Sequence, residues 1–94
     1  MLKFAVHPGE ILAEELAERA ISAAELARQI NVPANRISQL LRGKRMLTGD
    51  TALRLGHWFG MNPQFWMNLQ AQYDLSIAFQ NSSGEIGKLP TLAA

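Results

Sequence analysis

The stretch AAELARQINVPANRISQLLR, residues 23–42, decides the fold of this chain. Ser22 lies directly before it, and Glu25 follows three residues later, which is the spacing of a capping box. In a capping box a hydroxyl and a carboxylate satisfy free backbone N–H groups at the start of a helix. The pattern therefore predicts a helix over residues 23–30.

A tight turn and a second helix follow. Asn31 tolerates the left-handed backbone that lets a chain leave one helix and enter another. Pro33 is a favourable opening residue, and Gly43 predicts the end of the helix. The second helix has an apolar side formed by Ile37, Leu40 and Leu41, and its other positions are polar: Asn35, Arg36, Ser38, Gln39 and Arg42.

The rest of the chain predicts three further helices and a tail. Their bounds follow from proline, N-cap and glycine signals: helix one from Pro8 to about Ala20, helix four from Thr48 to Gly60, and helix five from Asn62 to an end between Leu75 and Phe79. From residue 80 onward loop-forming residues dominate. The fold class is therefore all-α. We expect a five-helix domain over residues 1–79 and a flexible, mobile C-terminal tail over residues 80–94.

Length and composition fit one small domain and exclude several classes of protein. The chain has 94 residues, of which 48% are hydrophobic and 18% charged, as is usual for a folded globular protein. The absence of cysteine excludes a disulfide framework and a thiolate zinc site. The apolar runs are too short for a membrane span or a signal peptide. We therefore expect no membrane partner and a cytoplasmic location.

The net charge is only +1, but its distribution is uneven. Residues 1–22 contain two basic and four acidic residues, and residues 46–94 contain two basic and three acidic ones. Residues 23–45 contain five basic residues against Glu25 alone, so that segment has a net charge of +4. A localised basic segment is typical of a phosphate-binding surface, although a solvated helix face can have the same composition.

The spacing within the basic segment is that of a helix-turn-helix. In that arrangement a short helix and a tight turn position a second helix, which enters the major groove of DNA. Small Ala27 lies where the two helices would cross, and the residues that would face the core are Leu26, Ile30, Val32, Ile37 and Leu40. Residues 34, 35, 38 and 39 are left pointing outward, so the spacing predicts that they face DNA.

The segment resembles the helix-turn-helix of phage-repressor-like regulators of the XRE type, with two departures. Asn31 stands where glycine is usual, and asparagine can adopt the same backbone at modest cost. Ala23 stands where several of these regulators have a phosphate-binding glutamine. Alanine can offer only its backbone N–H at the helix start, which is itself a usable phosphate donor.

The resemblance extends beyond the motif to the HigA-type antitoxins. It covers roughly residues 5–75 and rests on HPGEIL at 7–12, PANRIS at 33–38, TALRL at 51–55, WFG at 58–60 and PQFW at 63–66. What this family implies is a homodimer that binds its own operator, a double-stranded DNA, and that neutralises a partner ribonuclease toxin, HigB.

The outward side chains of the second helix can read bases. The amides of Asn35 and Gln39 can pair with adenine, Ser38 can donate or accept, and Ala34 can touch a thymine methyl group. We therefore expect these four residues to contact bases. Charges at the end of the helix and in the following loop can reach the DNA backbone. Besides the Ala23 N–H, the expected phosphate contacts are Arg36, Arg42, Lys44 and Arg45.

Helix five supplies the candidate contact between subunits, because it is apolar and lies outside the DNA motif. The candidate residues are Phe65, Trp66, Leu69 and Tyr73. A twofold dimer would place two recognition helices about one DNA turn apart, roughly 34 Å, on a palindrome. The alternative is core packing, since aromatic stripes at helical spacing usually face inward.

Glu10, Glu14 and Glu18 form an acidic row on helix one. Such a row repels phosphate, so it should point away from DNA, and it could attract a basic ribonuclease toxin. The alternative is a solvated helix face without a partner.

The sequence shows no pattern of catalysis. His7 and His57 are too few and too far apart to suggest a metal site, no HExxH motif is present, and no serine lies in a nucleophile elbow. The carboxylates form no recognisable acid and base pair. We therefore expect no enzymatic activity, no metal and no cofactor, and assign the histidines to helix starts or packing.

Three hypotheses follow from the sequence. The first is an autoregulatory repressor that is also an antitoxin. The second is a free-standing transcriptional regulator, which predicts the same DNA footprint without a co-purifying toxin. The third is a helical interaction module whose basic residues are merely solvated, which predicts weak, sequence-independent DNA binding.

Overall fold

The computed structural model of the protein describes residues 6–93. These residues form five helices: α1 Pro8–Glu18, α2 Ala23–Gln29, α3 Ala34–Leu41, α4 Gly49–Phe59 and α5 Gln64–Ile86. The described range contains no strand, and the predicted all-α, five-helix class is confirmed. The first five residues of the predicted domain and the last residue of the predicted tail lie outside the described residues. No helix between residues 6 and 93 is both long and apolar enough to cross a bilayer.

Side-chain caps start the first two helices. The Nδ1 atom of His7 accepts the backbone N–H of Gly9 at 2.9 Å, and the His7 N–H donates to the Glu10 carboxylate at 3.2 Å. This reciprocal capping confirms a helix-start role for His7. At α2, Ser22 Oγ accepts the Glu25 N–H at 3.1 Å. The Glu25 carboxylate does not complete the predicted box, because it is engaged by Arg28 and Gln29 further along the helix.

Residues with a left-handed backbone follow the ends of four helices: Ala20 after α1, Asn31 after α2, Gly43 after α3 and Gly60 after α4. Asn31 has φ 58°, as predicted for the turn after α2, and Gly60 has φ 71° at the end of α4. α1 is shorter than predicted: it ends at Glu18 because Ala20 has φ 55°, which no longer continues a helix.

The predicted end of α5 between residues 75 and 79 is wrong, because the helix continues to Ile86. The serines, the asparagine and the glycine in this stretch are weak helix formers, but each costs only a fraction of a kcal/mol up to about 1 kcal/mol. Extending an existing helix avoids the cost of nucleation, and no proline interrupts the chain before Pro90. Residues 80–86 are therefore helical, and the mobility of residues 80–94 stays a prediction.

All five helices and the loop before α4 contribute to one hydrophobic core. Its buried members are Leu12, Leu16, Leu26, Ala27, Ile30, Ile37, Leu40, Leu47, Ala52, Leu55 and Trp66. The core positions predicted in α2 and α3 are all among them, and Val32 packs partly buried against the cluster. Because α3 packs against both α1 and α2, its apolar side lies in the core and its polar side faces outward.

Two glycines allow backbones to approach closely. A Cβ atom on Gly9 would lie 1.9 Å from the carbonyl oxygen of Leu40, so the start of α1 rests directly on the end of α3. A Cβ atom on Gly56 would lie 2.8 Å from the carbonyl oxygen of Met61. Both distances are shorter than any side chain tolerates, and the first contact helps to set the direction in which α3 projects.

Candidate nucleic-acid interface

The outward side of α3 is a polar surface backed by the core. Ile37 and Leu40 are 0% and 1% exposed on its inner side. The predicted base-contacting residues lie on the opposite side, where Ala34 and Asn35 are exposed and Ser38 and Gln39 are half-buried. None of the four side chains is buried, so the structure brings them together on one accessible surface.

The hydrogen bonds on this surface differ from residue to residue. The Asn35 amide has no partner among residues 6–93, so both its donor and its acceptor are available. Ser38 Oγ donates to the Asn35 carbonyl at 3.3 Å, within the helix itself. Gln39 Oε1 accepts from Arg45 Nε at 3.1 Å and from Arg45 Nη2 at 2.9 Å. Only Gln39, therefore, is already engaged by a charged neighbour.

The turn between α2 and α3 is held by an arginine from α4. Arg54 Nη1 donates to the carbonyl oxygens of Ile30 and Asn31 at 2.8 and 3.3 Å. Its Nε donates to Asp50 at 2.9 Å. Arg54 was not among the predicted site residues, because a pattern within α2 and α3 does not show which side chain of another helix docks against their turn.

The loop that follows α3, residues 42–48, turns back on the helix. Gly43 has φ 70°, the Gly43 N–H donates to the Leu40 carbonyl at 3.0 Å, and the Lys44 N–H donates to the Gln39 carbonyl at 2.8 Å. These two bonds are those of a Schellman motif. The side chains of Arg42, Lys44 and Arg45 are exposed beside the outward side of α3.

A buried glutamine anchors the far end of this loop. Gln70 of α5 is 3% exposed, and its Oε1 accepts the N–H of buried Leu47 at 2.7 Å. Its Nε2 donates to Asp74 at 2.9 Å. Gln70 was not among the predicted site residues either. Its one signal is a polar residue four positions after Trp66, on the side of α5 that packs inward.

The structure separates the five expected phosphate contacts into four kinds. Arg45 is the first, because its guanidinium donates to the neutral Gln39 amide and forms no ion pair with the described residues. Arg42 and Lys44 form no ion pair with the described residues, so their charges are free for a ligand. The backbone N–H of Ala23 lies at the first position of α2. Arg36 is different, because its Nη1 lies 2.8 Å from the Asp50 carboxylate.

Asp50 lies between two guanidinium groups. Hydrogen bonds from Arg54 and, second, from Arg36 lower the pKa of this carboxyl below its ordinary value. Burial opposes the shift but does not overcome it. The expectation that Arg36 grips phosphate is therefore not supported by this geometry, because its charge is already matched inside the protein.

The charge of α2 is likewise matched locally. Arg28 pairs with Glu25 on the same helix. The hydrogen bond from Gln29 and that from Arg28 lower the pKa of the Glu25 carboxyl. The positive charge left over in residues 23–45 is therefore concentrated at the end of α3 and in the loop that follows it.

The four candidate dimer residues of α5 are not equivalent. Trp66 is 1% exposed and belongs to the core of its own chain, so the alternative of core packing holds for it and it is not available for a second subunit. Tyr73 is half-buried, with its ring centroid 4.9 Å from that of His7. Leu69 is half-buried against the core, and Phe65 is 41% exposed. Of the four, Phe65 offers the largest accessible surface.

The acidic row of α1 is accessible. Glu10 both caps the helix and remains exposed. Glu14 and Glu18 are exposed and form no ion pair with residues 6–93, whereas their neighbour Glu15 pairs with Arg19 at 2.6 Å. Glu10 accepts only a neutral backbone N–H, so none of the three candidate toxin contacts has its charge compensated by an ion pair with the described residues.

No group of three or more potential ligands that could hold a metal ion occurs in the range 6–93. His7 is committed to the cap of α1, and His57 is an exposed residue of the last turn of α4. Within this part of the chain the polar surface of α3 and the loop after it is the site with accessible, partly unpaired recognition groups.

Comparisons with known proteins agree with this geometry. Residues 12–66 match the family model described as Helix-turn-helix. The virulence-associated protein I of Dichelobacter nodosus is 47% identical over 78 residues, which cover 82% of this chain and 72% of that protein.

Two solved structures are similar in both sequence and fold. An addiction-module antidote protein of the HigA family from Coxiella burnetii superposes with a TM-score of 0.89 at 48% identity, covering 93% of this chain and 96% of that one. The Pseudomonas aeruginosa antitoxin HigA, solved with the higBA promoter, superposes with a TM-score of 0.90 at 41% identity, covering 95% and 99% of the two chains.

Proposed function

The chain belongs to the helix-turn-helix family and, within it, to the HigA-type antitoxins, and on that premise we propose that it binds operator DNA as a homodimer, represses its own operon and neutralises a HigB-type ribonuclease toxin. The observation that carries the DNA-binding part is the accessible polar side of α3, which is backed by buried Ile37 and Leu40. The similar P. aeruginosa antitoxin was solved with promoter DNA, which supports the same role.

In this proposal α3 lies in the major groove. The free amide of Asn35 makes paired hydrogen bonds with adenine, Ser38 donates or accepts at a neighbouring base edge, and Ala34 contacts a thymine methyl group. Gln39 reads a further base. Arg42 and Lys44 neutralise flanking phosphates, and the Ala23 N–H donates to another phosphate at the start of α2.

Dimerisation and toxin binding use other surfaces. A single recognition helix reads few base pairs, so a twofold dimer on a palindrome supplies the specificity. We place Phe65 of α5 near the subunit contact, with Leu69 and Tyr73 beside it. The acidic row Glu10, Glu14 and Glu18 faces a basic toxin surface. The protein is not an enzyme in this proposal, and it acts in the cytoplasm on the nucleoid.

The primary experiment measures binding of the purified protein to its own promoter and to a shuffled duplex by fluorescence anisotropy. We expect the promoter to bind on the order of a thousandfold or more tightly than the shuffled duplex. Asn35→Ala should reduce this ratio by about 5- to 150-fold, because one paired base contact is lost. Equal, weak binding to both duplexes would favour the helical interaction module instead.

Salt dependence tests the phosphate contacts separately. The slope of log K against log salt should flatten by about 0.9 for Arg42→Ala or Lys44→Ala, and by nearly two units for the double variant. Arg36→Ala is the matched control. It should leave the slope unchanged because Asp50 already pairs with that guanidinium. A slope that flattens for Arg36→Ala and not for Lys44→Ala would reverse the assignment.

The antitoxin part is tested by the gene adjacent to this one. We expect that gene to encode a small basic ribonuclease. Expression of the ribonuclease alone should arrest growth, and when the two proteins are expressed together growth should continue and the ribonuclease should co-purify with this protein. Reversing the charges of Glu10, Glu14 and Glu18 should weaken the complex. An intact DNA footprint with no such partner would identify a free-standing regulator.

A further inference from the structure

Gln39 does not carry a free amide. Its Oε1 accepts two hydrogen bonds from Arg45, at 3.1 Å from Nε and 2.9 Å from Nη2. A guanidinium has only donors, so the amide must turn its oxygen toward Arg45 and its NH₂ group away. An amide oxygen has two lone pairs, and both are engaged here.

The backbone after α3 produces this pairing. Gly43 takes φ 70°, and the Schellman bonds of Gly43 and Lys44 return the chain toward the last turn of the helix. Lys44 donates its N–H to the carbonyl of Gln39 itself, at 2.8 Å. The next residue, Arg45, is thereby placed beside the Gln39 side chain, six positions earlier in the sequence.

The pair presents only hydrogen-bond donors. The Gln39 NH₂ group has two N–H donors, and Arg45 retains two on Nη1 and one on Nη2 that no described residue accepts. In the major groove the edge of guanine offers two acceptors, N7 and O6, whereas adenine offers one acceptor and one donor. An all-donor pair matches guanine and would meet the N6 donor of adenine with another donor.

We propose that Arg45 is a positioning residue for specificity, which occupies the Gln39 oxygen and makes the pair select guanine rather than the adenine that a free glutamine amide prefers. This inference rests on the proposed DNA-binding function, and it assigns to Arg45 a role beyond that of a phosphate contact. The hydrogen bonds are exposed in the free protein, and they strengthen when the groove excludes water.

The test is selection from a randomised operator library with the full-length protein and three variants. Gln39→Ala identifies the half-site position that Gln39 reads, because preference is lost there. Wild type should enrich guanine over adenine at that position by about 5- to 150-fold. Arg45→Ala should shift the preference to adenine, since the freed oxygen can then accept from N6 while the NH₂ group donates to N7.

Lys44→Ala is the matched control, because it removes the neighbouring charge and keeps the backbone N–H that donates to the Gln39 carbonyl. This variant should bind operator DNA less tightly and should keep the preference for guanine. Arg45 is exposed, and thermal melts should show that its variant remains folded.

Each other outcome has a distinct meaning. Enrichment of adenine by wild type at this position, or an unchanged preference for guanine in Arg45→Ala, would overturn the inference. Guanine preference that merely relaxes in Arg45→Ala, and persists in Gln39→Ala, would show that Arg45 reads the base directly and would also overturn it. Failure of wild type to enrich any sequence would instead refute the proposed DNA-binding function.

Discussion

α3 buries the apolar residues Ile37 and Leu40, whereas α5 buries Trp66 together with two polar residues, Gln70 and Ser76. α3 is eight residues long and has one apolar side. α5 has 23 residues, and large apolar side chains along it remain exposed, among them Leu75 at 62% and Phe79 at 41%.

The difference teaches that periodicity decides burial only where a helix has a single apolar side. In α5 apolar side chains occur on several sides of the helix. Whether one of them is buried therefore depends on where it lies relative to the other helices. α5 packs against α1 and α4, and its buried tryptophan, Trp66, lies in its first turn. The later turns bury little after Ser76.

The strongest test of this comparison is Trp66→Ala. Removing a fully buried tryptophan should lower the free energy of unfolding by about 3–5 kcal/mol, because the indole's contacts are lost and a cavity remains. Urea unfolding at fixed protein concentration measures the loss. The control is Phe65→Ala at the preceding position, where the ring is 41% exposed. We expect a much smaller loss there, and equal losses would mean that a second subunit buries Phe65 in solution.

Gln70→Leu tests whether α5 holds the DNA-binding loop. The substitution keeps the volume but leaves the buried N–H of Leu47 without its acceptor, which should cost about 1–3 kcal/mol. Affinity for promoter DNA should also fall, because Lys44 and Arg45 lie in the released loop. The matched control is Gln72→Leu, since Gln72 is exposed on the same helix. Unchanged stability of Gln70→Leu would show that Leu47 finds another acceptor.

Much of the fold was predictable because its signals are local. The caps of α2 and α4, the left-handed turn at Asn31 and the stop at Gly60 all depend on residues within one turn of each other. The outward side of α3 followed from the same short-range spacing. This is why five helices and an accessible recognition surface could be expected from the sequence.

The contacts that the sequence did not predict join distant residues. Arg54 reaches the turn 23 and 24 residues earlier, and Gln70 reaches Leu47 across 23 residues. The Arg36 guanidinium pairs with Asp50 across 14 residues. Whether such groups meet depends on how helices dock, which no pattern within one helix records. The length of α5 is a local property that the composition predicts wrongly, because weak helix formers still extend a helix that has already been nucleated.

Gly84→Ala tests the end of α5. Gly84 lies inside the helix, and a Cβ atom there would have nothing within 4 Å. Alanine should therefore stabilise the protein by up to about 1 kcal/mol through its higher helix propensity. The contrasting variant is Gly60→Ala, where φ 71° makes any side chain strained and predicts a loss. No gain for Gly84→Ala would support a mobile segment from residue 80 onward, as the composition predicts.

The smallest effect concerns Asp50, whose ion pair with Arg36 joins α3 to α4 and whose ion pair with Arg54 lies within α4. Hydrogen bonds from Arg54 and Arg36 lower the pKa of Asp50 in the folded protein. Its contribution to stability is therefore fully present above the ordinary carboxyl pKa of about 3.9 and is lost as the pH falls through the lowered value. Because the group is exposed, water and salt screen the interaction and the contribution is small.

The comparison of wild type with Asp50→Asn isolates this contribution, since all other titrating groups are shared. Wild type should have a slightly higher melting temperature than Asp50→Asn at neutral pH. This gap in melting temperature should close as the pH falls below about 4. It should also narrow at about 1 M salt, where screening acts over about 3 Å. A gap that stays constant through the acid range would mean that the charge of Asp50 does not hold α3 against α4. The orientation of the recognition helix would then depend on the core and on Gly9 alone.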